Sequence, residues 1–131
     1  MTSPMRNIRS GAFAAGSLLT PDNCAIAIID HQEQMAFGVG SIDRQLLLNN
    51  VVALAKSGKA FGVPTIFTTV AAKSFSGPMF PLLQEVFPGQ EPIDRSTVNS
   101  WEDDNFVAAI EKTGRQRLVM SGLWTTICLA Y

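Results

Sequence analysis

Cys24-Ala-Ile-Ala-Ile-Ile-Asp30 is the stretch on which the architecture turns. Six uncharged residues run unbroken into a carboxylate. No polar residue alternates within the run, so both of its faces ask to be covered, the situation of a strand inside a parallel sheet. Downstream, Ile42, Leu46, Leu47, Val51, Leu54 and Ala55 recur at helical spacing between positions 41 and 61, with Ser41 or Asp43 able to cap the start, Gly62 to stop the helix and Pro64 beyond it. Thr65-Ile-Phe-Thr-Thr-Val70 is β-branched and predicts a second strand.

The alternation continues. Positions 71–78 read as a loop punctuated by Gly77-Pro78. A short helix is expected over 81–87, with Pro81 in its first turn, and a short third strand over 91–95. Ser100, with Asp103 three residues on, predicts the start of a single helix over 101–112 whose buried side is Phe106, Val107, Ala109 and Ile110; Gly114 ends it. A fourth strand is expected over 116–121, centred on Leu118, Val119 and Met120, followed by a turn and a helix starting near Ile127 with Thr126 as its cap. Strands alternating with helices predict an α/β fold of three layers, α-β-α, around an open parallel sheet.

Composition narrows the functional classes. With 131 residues, 47% hydrophobic and 16% charged, the chain has material for one core and too much of it for disorder. Ten basic and eleven acidic residues give a net charge of −1, without a basic patch, so nucleic acid is not an expected partner. No apolar run approaches the ~20 residues that cross a bilayer, so no membrane association is expected. Positions 1–17 read as an N-terminal arm and 18–131 as the folded domain. The arm and the few residues after it, with Arg6, Arg9 and no acid before Asp22, also have the composition of a targeting segment, against which a plain flexible arm is the simpler reading. Cys24 and Cys128 form neither a disulfide framework nor a metal spacing, which is compatible with a reducing, cytoplasmic compartment.

In open parallel sheets, ligands sit beyond the carboxyl ends of the strands. Asp30 falls at such an end, and Cys128 lies just past another. If the first and fourth strands are neighbours, a carboxylate and a thiol face one pocket. A helix beginning near Cys128 would favour its thiolate and offer free backbone amides to an oxyanion. A nucleophile, a base and oxyanion donors together describe acyl transfer through a thioester. Each residue also has a plainer role: Cys128 as a small core side chain, Asp30 as a turn residue, Arg95 as a surface partner of Asp94. His31, turned from Asp30's side by strand alternation, reads as structural. Phe37 and Trp101 suit either an apolar pocket wall or the core, and Lys73 and Phe75 either a cover over the site or a solvated loop.

Four segments in order, Ile28-Ile-Asp-His-Gln32, Pro64-Thr-Ile-Phe-Thr-Thr69, Asn99-Ser-Trp101 with Phe106, and Ser121-Gly-Leu-Trp-Thr-Thr-Ile-Cys128, resemble the isochorismatase-like cysteine hydrolases, and best the subgroup with an Asp-His-Gln first-strand motif. The Gly-x-x-Thr-x-x-Cys segment is the most specific of them. The resemblance implies strand order 3-2-1-4-5-6, of which this chain holds strands 1–4. It implies Cys128 as nucleophile, Asp30 as general base and Arg95 at the position where the family usually has Lys, with Gln32, Phe37, Trp101, Trp124 and Thr125 around substrate or oxyanion. It further implies a cis peptide at Trp124–Thr125, a small-molecule substrate with a C–N amide bond or an ether-like bond, and homo-oligomers among full-length relatives. Arginine keeps its charge, so Arg95 could steady a thiolate but not shuttle a proton.

No metal or cofactor is expected, since the Asp-x-His zinc set of the nicotinamidase branch has no counterpart after the second strand. Neither Gly-x-Gly-x-x-Gly nor Gly-x-x-x-x-Gly-Lys-Ser/Thr occurs, which argues against nucleotide binding. Family members continue past the nucleophile. The chain is therefore expected to be a C-terminally truncated member, poorly soluble and weakly active alone, and the competing reading is a non-catalytic α/β module acting in assembly or interaction.

Overall fold

The computed structural model describes residues 18–130, so the expected arm at 1–17 lies outside the described residues. The elements in order are β1 (Cys24–Ile29), a single turn α1 (Glu33–Ala36), α2 (Arg44–Ala60), β2 (Thr65–Val70), α3 (Pro81–Val86), β3 (Ile93–Arg95), a 3-10 turn (Ser100–Glu102), α4 (Asp104–Lys112), β4 (Arg117–Gly122) and a π turn (Thr125–Leu129). All four strands are parallel, in the order β3-β2-β1-β4.

β1 is central, and every one of its residues is buried. Its side chains alternate between two cores. Ile26 and Ile28 pack with Val51 and Ala55 of α2, Leu83 and Val86 of α3, and Phe67 of β2. Ala27 and Ile29 pack with Phe106 and Ile110 of α4 on the other face, together with Cys128. The continuous apolar run is the sequence form of this two-sided burial, and the three expected layers are present.

Local chemistry sets the boundaries. The Asp43 carboxylate accepts from the Leu46 amide, so Asp43 rather than Ser41 caps α2. The single helix expected over 101–112 is two elements. Asn99 accepts from the Trp101 amide and starts the 3-10 turn, and Asp103 accepts from the Phe106 amide and starts α4. Two side-chain acceptors four residues apart restart the backbone twice, which one capping motif could not reveal. No described helix is long and apolar enough to cross a membrane.

Candidate active site

The carboxyl end of β1 carries Asp30, which is buried beside the ends of the neighbouring strands. The Asp30 amide still donates to Thr68 O of β2 at 2.9 Å, but its φ of 56° turns the chain out of the strand. Aspartate is among the few non-glycine residues that tolerate this left-handed region. The turn aims the carboxylate at β3. Arg95, the last residue of β3, holds it with both ends of its guanidinium: Nη1 donates to Oδ1 at 2.8 Å and Nη2 to Oδ2 at 3.0 Å. Nη1 also donates to Thr68 Oγ1 at 2.7 Å and to Thr69 O at 3.2 Å, and Nη2 to Val98 O at 3.3 Å. Both residues are buried, which excludes the plainer reading of Arg95 as a surface cation. Asp94, its expected surface partner, instead accepts from Thr69 Oγ1 and the Ala72 amide.

A buried carboxylate has room for about four hydrogen bonds. The Arg95 fork takes one position on each oxygen and leaves the others for a further donor. An aligned, bidentate pair of this kind is the geometry in which a buried ion pair offsets its desolvation.

Cys128 approaches from β4. Ile29 pairs with Gly122 across the β1–β4 ladder, so the end of β4 lies beside Asp30. A methyl placed on Gly122 would stand 2.8 Å from Cys128 Cβ, which means that the cysteine sits directly against the bare backbone of that glycine. Burial pushes the Cys128 thiol up from its ordinary value; the Trp124 backbone pulls it down, the Asp30 charge adds to the rise, and the Leu123 backbone and the Arg95 charge oppose it. The sulfur therefore feels both members of the ion pair.

The π turn corrects two expectations. Cys128 is the fourth residue of a five-residue turn whose N-cap, Trp124, makes no side-chain capping bond. The amides of Ile127 and Cys128 both donate to Trp124 O, at 3.0 and 2.7 Å, so they are not free for an oxyanion. Desolvation outweighs the downward pull of the backbone, so the thiol is raised rather than lowered. There is no cis peptide among the described residues, so the Trp124–Thr125 bond is trans, the ordinary state of a non-proline peptide.

The remaining residues divide. Gln32 is fully buried, and its amide is spent on backbone: Nε2 donates to Val70 O at 3.0 Å and Gly77 O at 2.6 Å, while Oε1 accepts from the Val70 amide at 2.9 Å. It braces the loop after β2 rather than presenting its amide to a ligand. Trp124 donates to Met35 O at 3.1 Å and lies over Gly38. Phe37, largely exposed, stacks beneath the Arg44 guanidinium at 4.6 Å. Trp101 packs edge-on to Phe106, and Thr125 is exposed. Lys73 and Phe75 lie on the exposed loop. His31 is buried edge-on to Phe80, its Nε2 3.1 Å from Ser121 Oγ.

A buried carboxylate-guanidinium pair and a buried cysteine thus stand at the carboxyl edge of a parallel sheet. Residues 24–131 match the isochorismatase domain, and the chain belongs to that family. It is 34% identical over 114 residues to "Probable hydrolase YcaC" of Escherichia coli, covering 86% of this chain and 55% of that protein. The crystal structure of the E. coli YcaC gene product, described as an octameric hydrolase of unknown specificity, superposes with a TM-score of 0.80 at 35% identity, over 84% of this chain and 54% of that one. YcaC from Pseudomonas aeruginosa, solved with hexane-2,5-diol and covalent acrylamide, gives 0.82 at 34% identity, over 86% and 56%. The chain thus spans about half the length of the relatives it matches. An isochorismatase from Pseudomonas putida, at 15% identity and a TM-score of 0.67 over 86% and 62%, shares the fold.

Proposed function

We propose that this chain carries the reaction centre of an isochorismatase-family hydrolase in which Cys128 attacks the carbonyl of a small C–N amide-type substrate and forms a thioester. The observation that carries this reading is the convergence of three buried groups: Asp30 and Arg95 joined by two hydrogen bonds of 2.8 and 3.0 Å, and Cys128 seated where both charges act on its sulfur.

Asp30 takes the Sγ proton as the S–C bond forms, since burial raises the Cys128 thiol and so disfavours a preformed thiolate. The carbonyl oxygen gains negative charge, received by the amides that open the π turn, those of Thr125 and Thr126, because Ile127 and Cys128 are spent on Trp124 O. The C–N bond then breaks, the amine leaves with the proton from Asp30, and water cleaves the thioester to acid and free thiol. Arg95 transfers no proton. It fixes the carboxylate and offsets negative charge as the thiolate develops. Assembly into a homo-oligomer, a cytoplasmic setting and activity of the whole protein belong to the same reading, supported by the octameric relative and by two free cysteines.

Acrylamide is a suitable probe, given the covalent acrylamide in the P. aeruginosa relative. Cys24 and Cys128 are comparably buried, so a difference between them reports chemistry rather than access. Cys128 is expected to label at least about tenfold faster than Cys24 at neutral pH, and Asp30→Asn to slow it by roughly 10²-fold, the scale of a lost general base. Removing Asp30 also leaves Arg95 unopposed, which by field alone favours the thiolate. Faster labelling in Asp30→Asn would therefore show that the carboxylate acts through its charge and is not the base.

A further inference from the structure

Three consecutive side chains at the end of β1 depart for three different strands. Asp30 meets Arg95 of β3. His31 pairs through Nε2 with Ser121 of β4 at 3.1 Å. Gln32 engages Val70 of β2 through both ends of its amide and reaches Gly77 in the loop beyond. Main-chain contacts support the fan: the Phe80 amide donates to His31 O at 2.9 Å, and Gln32 forms an antiparallel bridge with Met79.

An apolar residue at 31 or 32 would pack without the cost of burying an imidazole or an amide. The polar groups kept there fall where the alignment of strand ends decides the chemistry. Ser121 precedes Gly122, the residue against which Cys128 is seated. Val70 follows Thr69, whose carbonyl accepts from Arg95. His31 grips β4 from the side of Phe80, and Cys128 lies on the side of Phe106. Movement of the Ser121–Gly122 segment passes to the sulfur, and movement of Thr69–Val70 passes to the guanidinium.

We propose that His31 and Gln32 are positioning residues that fix the ends of β4 and β2 against Asp30, and so set the separation of the Cys128 thiol from the Asp30–Arg95 pair. This rests on the cysteine-hydrolase reading above. Both residues act through others and touch no substrate.

The test is acrylamide labelling of the full chain, with Cys128 and Cys24 quantified separately by peptide mass spectrometry, in the parent and in Ser121→Ala, Ser121→Thr and Gln32→Leu. Ser121→Ala and Gln32→Leu are expected to slow Cys128 by about tenfold or more while Cys24 keeps its rate, since misplacement by a fraction of an ångström to an ångström carries losses of that order. Ser121→Thr, which retains the hydroxyl, is expected to label like the parent. A merely structural role predicts the opposite pattern, with local opening that accelerates both cysteines together. That pattern, or an unchanged Cys128 rate in Ser121→Ala, overturns the inference, and the two Ser121 variants decide it alone if Gln32→Leu does not fold. A parent chain that labels Cys128 no faster than Cys24 instead overturns the hydrolase reading, and the inference with it.

Discussion

At Asp30 the backbone gives up strand geometry for a left-handed conformation, and Ala71 does the same just past β2, with φ of 46°. For alanine this costs on the order of 1–3 kcal/mol, since it has no polar side chain to hydrogen-bond locally; it lies one residue beyond the strand position paired with Arg95. His31 carries a second cost. Burial lowers its pKa from 6.5 to about 4, with a smaller upward pull from the Ile29 backbone. The folded state thus holds a neutral ring while the unfolded chain takes up a proton below pH 6.5, so stability is whole above that pH and falls as the pH drops toward 4, by about 3 kcal/mol in all. Urea midpoints followed from pH 7 to 4.5 should decline in the parent more steeply than in His31→Gln; parallel curves would exclude His31 as the cause. Strand ends pointed to Asp30 and Cys128, Arg95 entered only through the family resemblance, and alternation turned His31 away from Asp30's side. Gln32 was not legible as a brace, since its partners at 70 and 77 are brought to it by the return of the loop.

Among the elements, α2 shows how packing overrules propensity. Gly58 is buried within it, and a methyl there would stand 2.6 Å from Thr65 Oγ1 and 2.9 Å from Ile26 Cδ1. Thr65 Oγ1 is held in place by donating to Val63 O. Gly58→Ala gains about 1 kcal/mol of helix propensity, but the overlap forces helix and sheet apart at a cost of roughly 1–3 kcal/mol. A net loss of stability is expected in thermal denaturation, and a higher Tm would refute this account. The apolar runs and the helical period located β1, β2 and α2 closely because burial on the sheet dictates them. Less was readable in the Asn99–Asp103 region, where several short polar residues compete as caps, and at Cys128, where tertiary burial rather than the dipole of a helix end governs the thiol.

Over the whole molecule, burial declines from the centre outward on one side. β1 is buried throughout, whereas β4 is half-buried with Met120 exposed. The core beneath α2 and α3 is also larger than the one beneath α4 that includes Cys128. Amide hydrogen exchange should therefore show the strongest protection in β1 and β2 and earlier exchange in β4 and the π turn. Equal protection across all four strands would contradict this gradient. Cys128 then resides on the less buried side of the sheet, and Asp30 at the end of its most buried strand.

The fan at residues 30–32 also governs how chain length can vary. Because successive side chains serve separate strands, there is no spare position between Ile29 and Glu33. One inserted or deleted residue would hand every partner to the wrong neighbour at once, leaving a guanidinium, a hydroxyl and a loop without their ligands. Gly40, by contrast, has open space around it, and the turn there can lengthen without displacing the fan. Natural or engineered changes of length should therefore accumulate at that turn and spare the corner beside it.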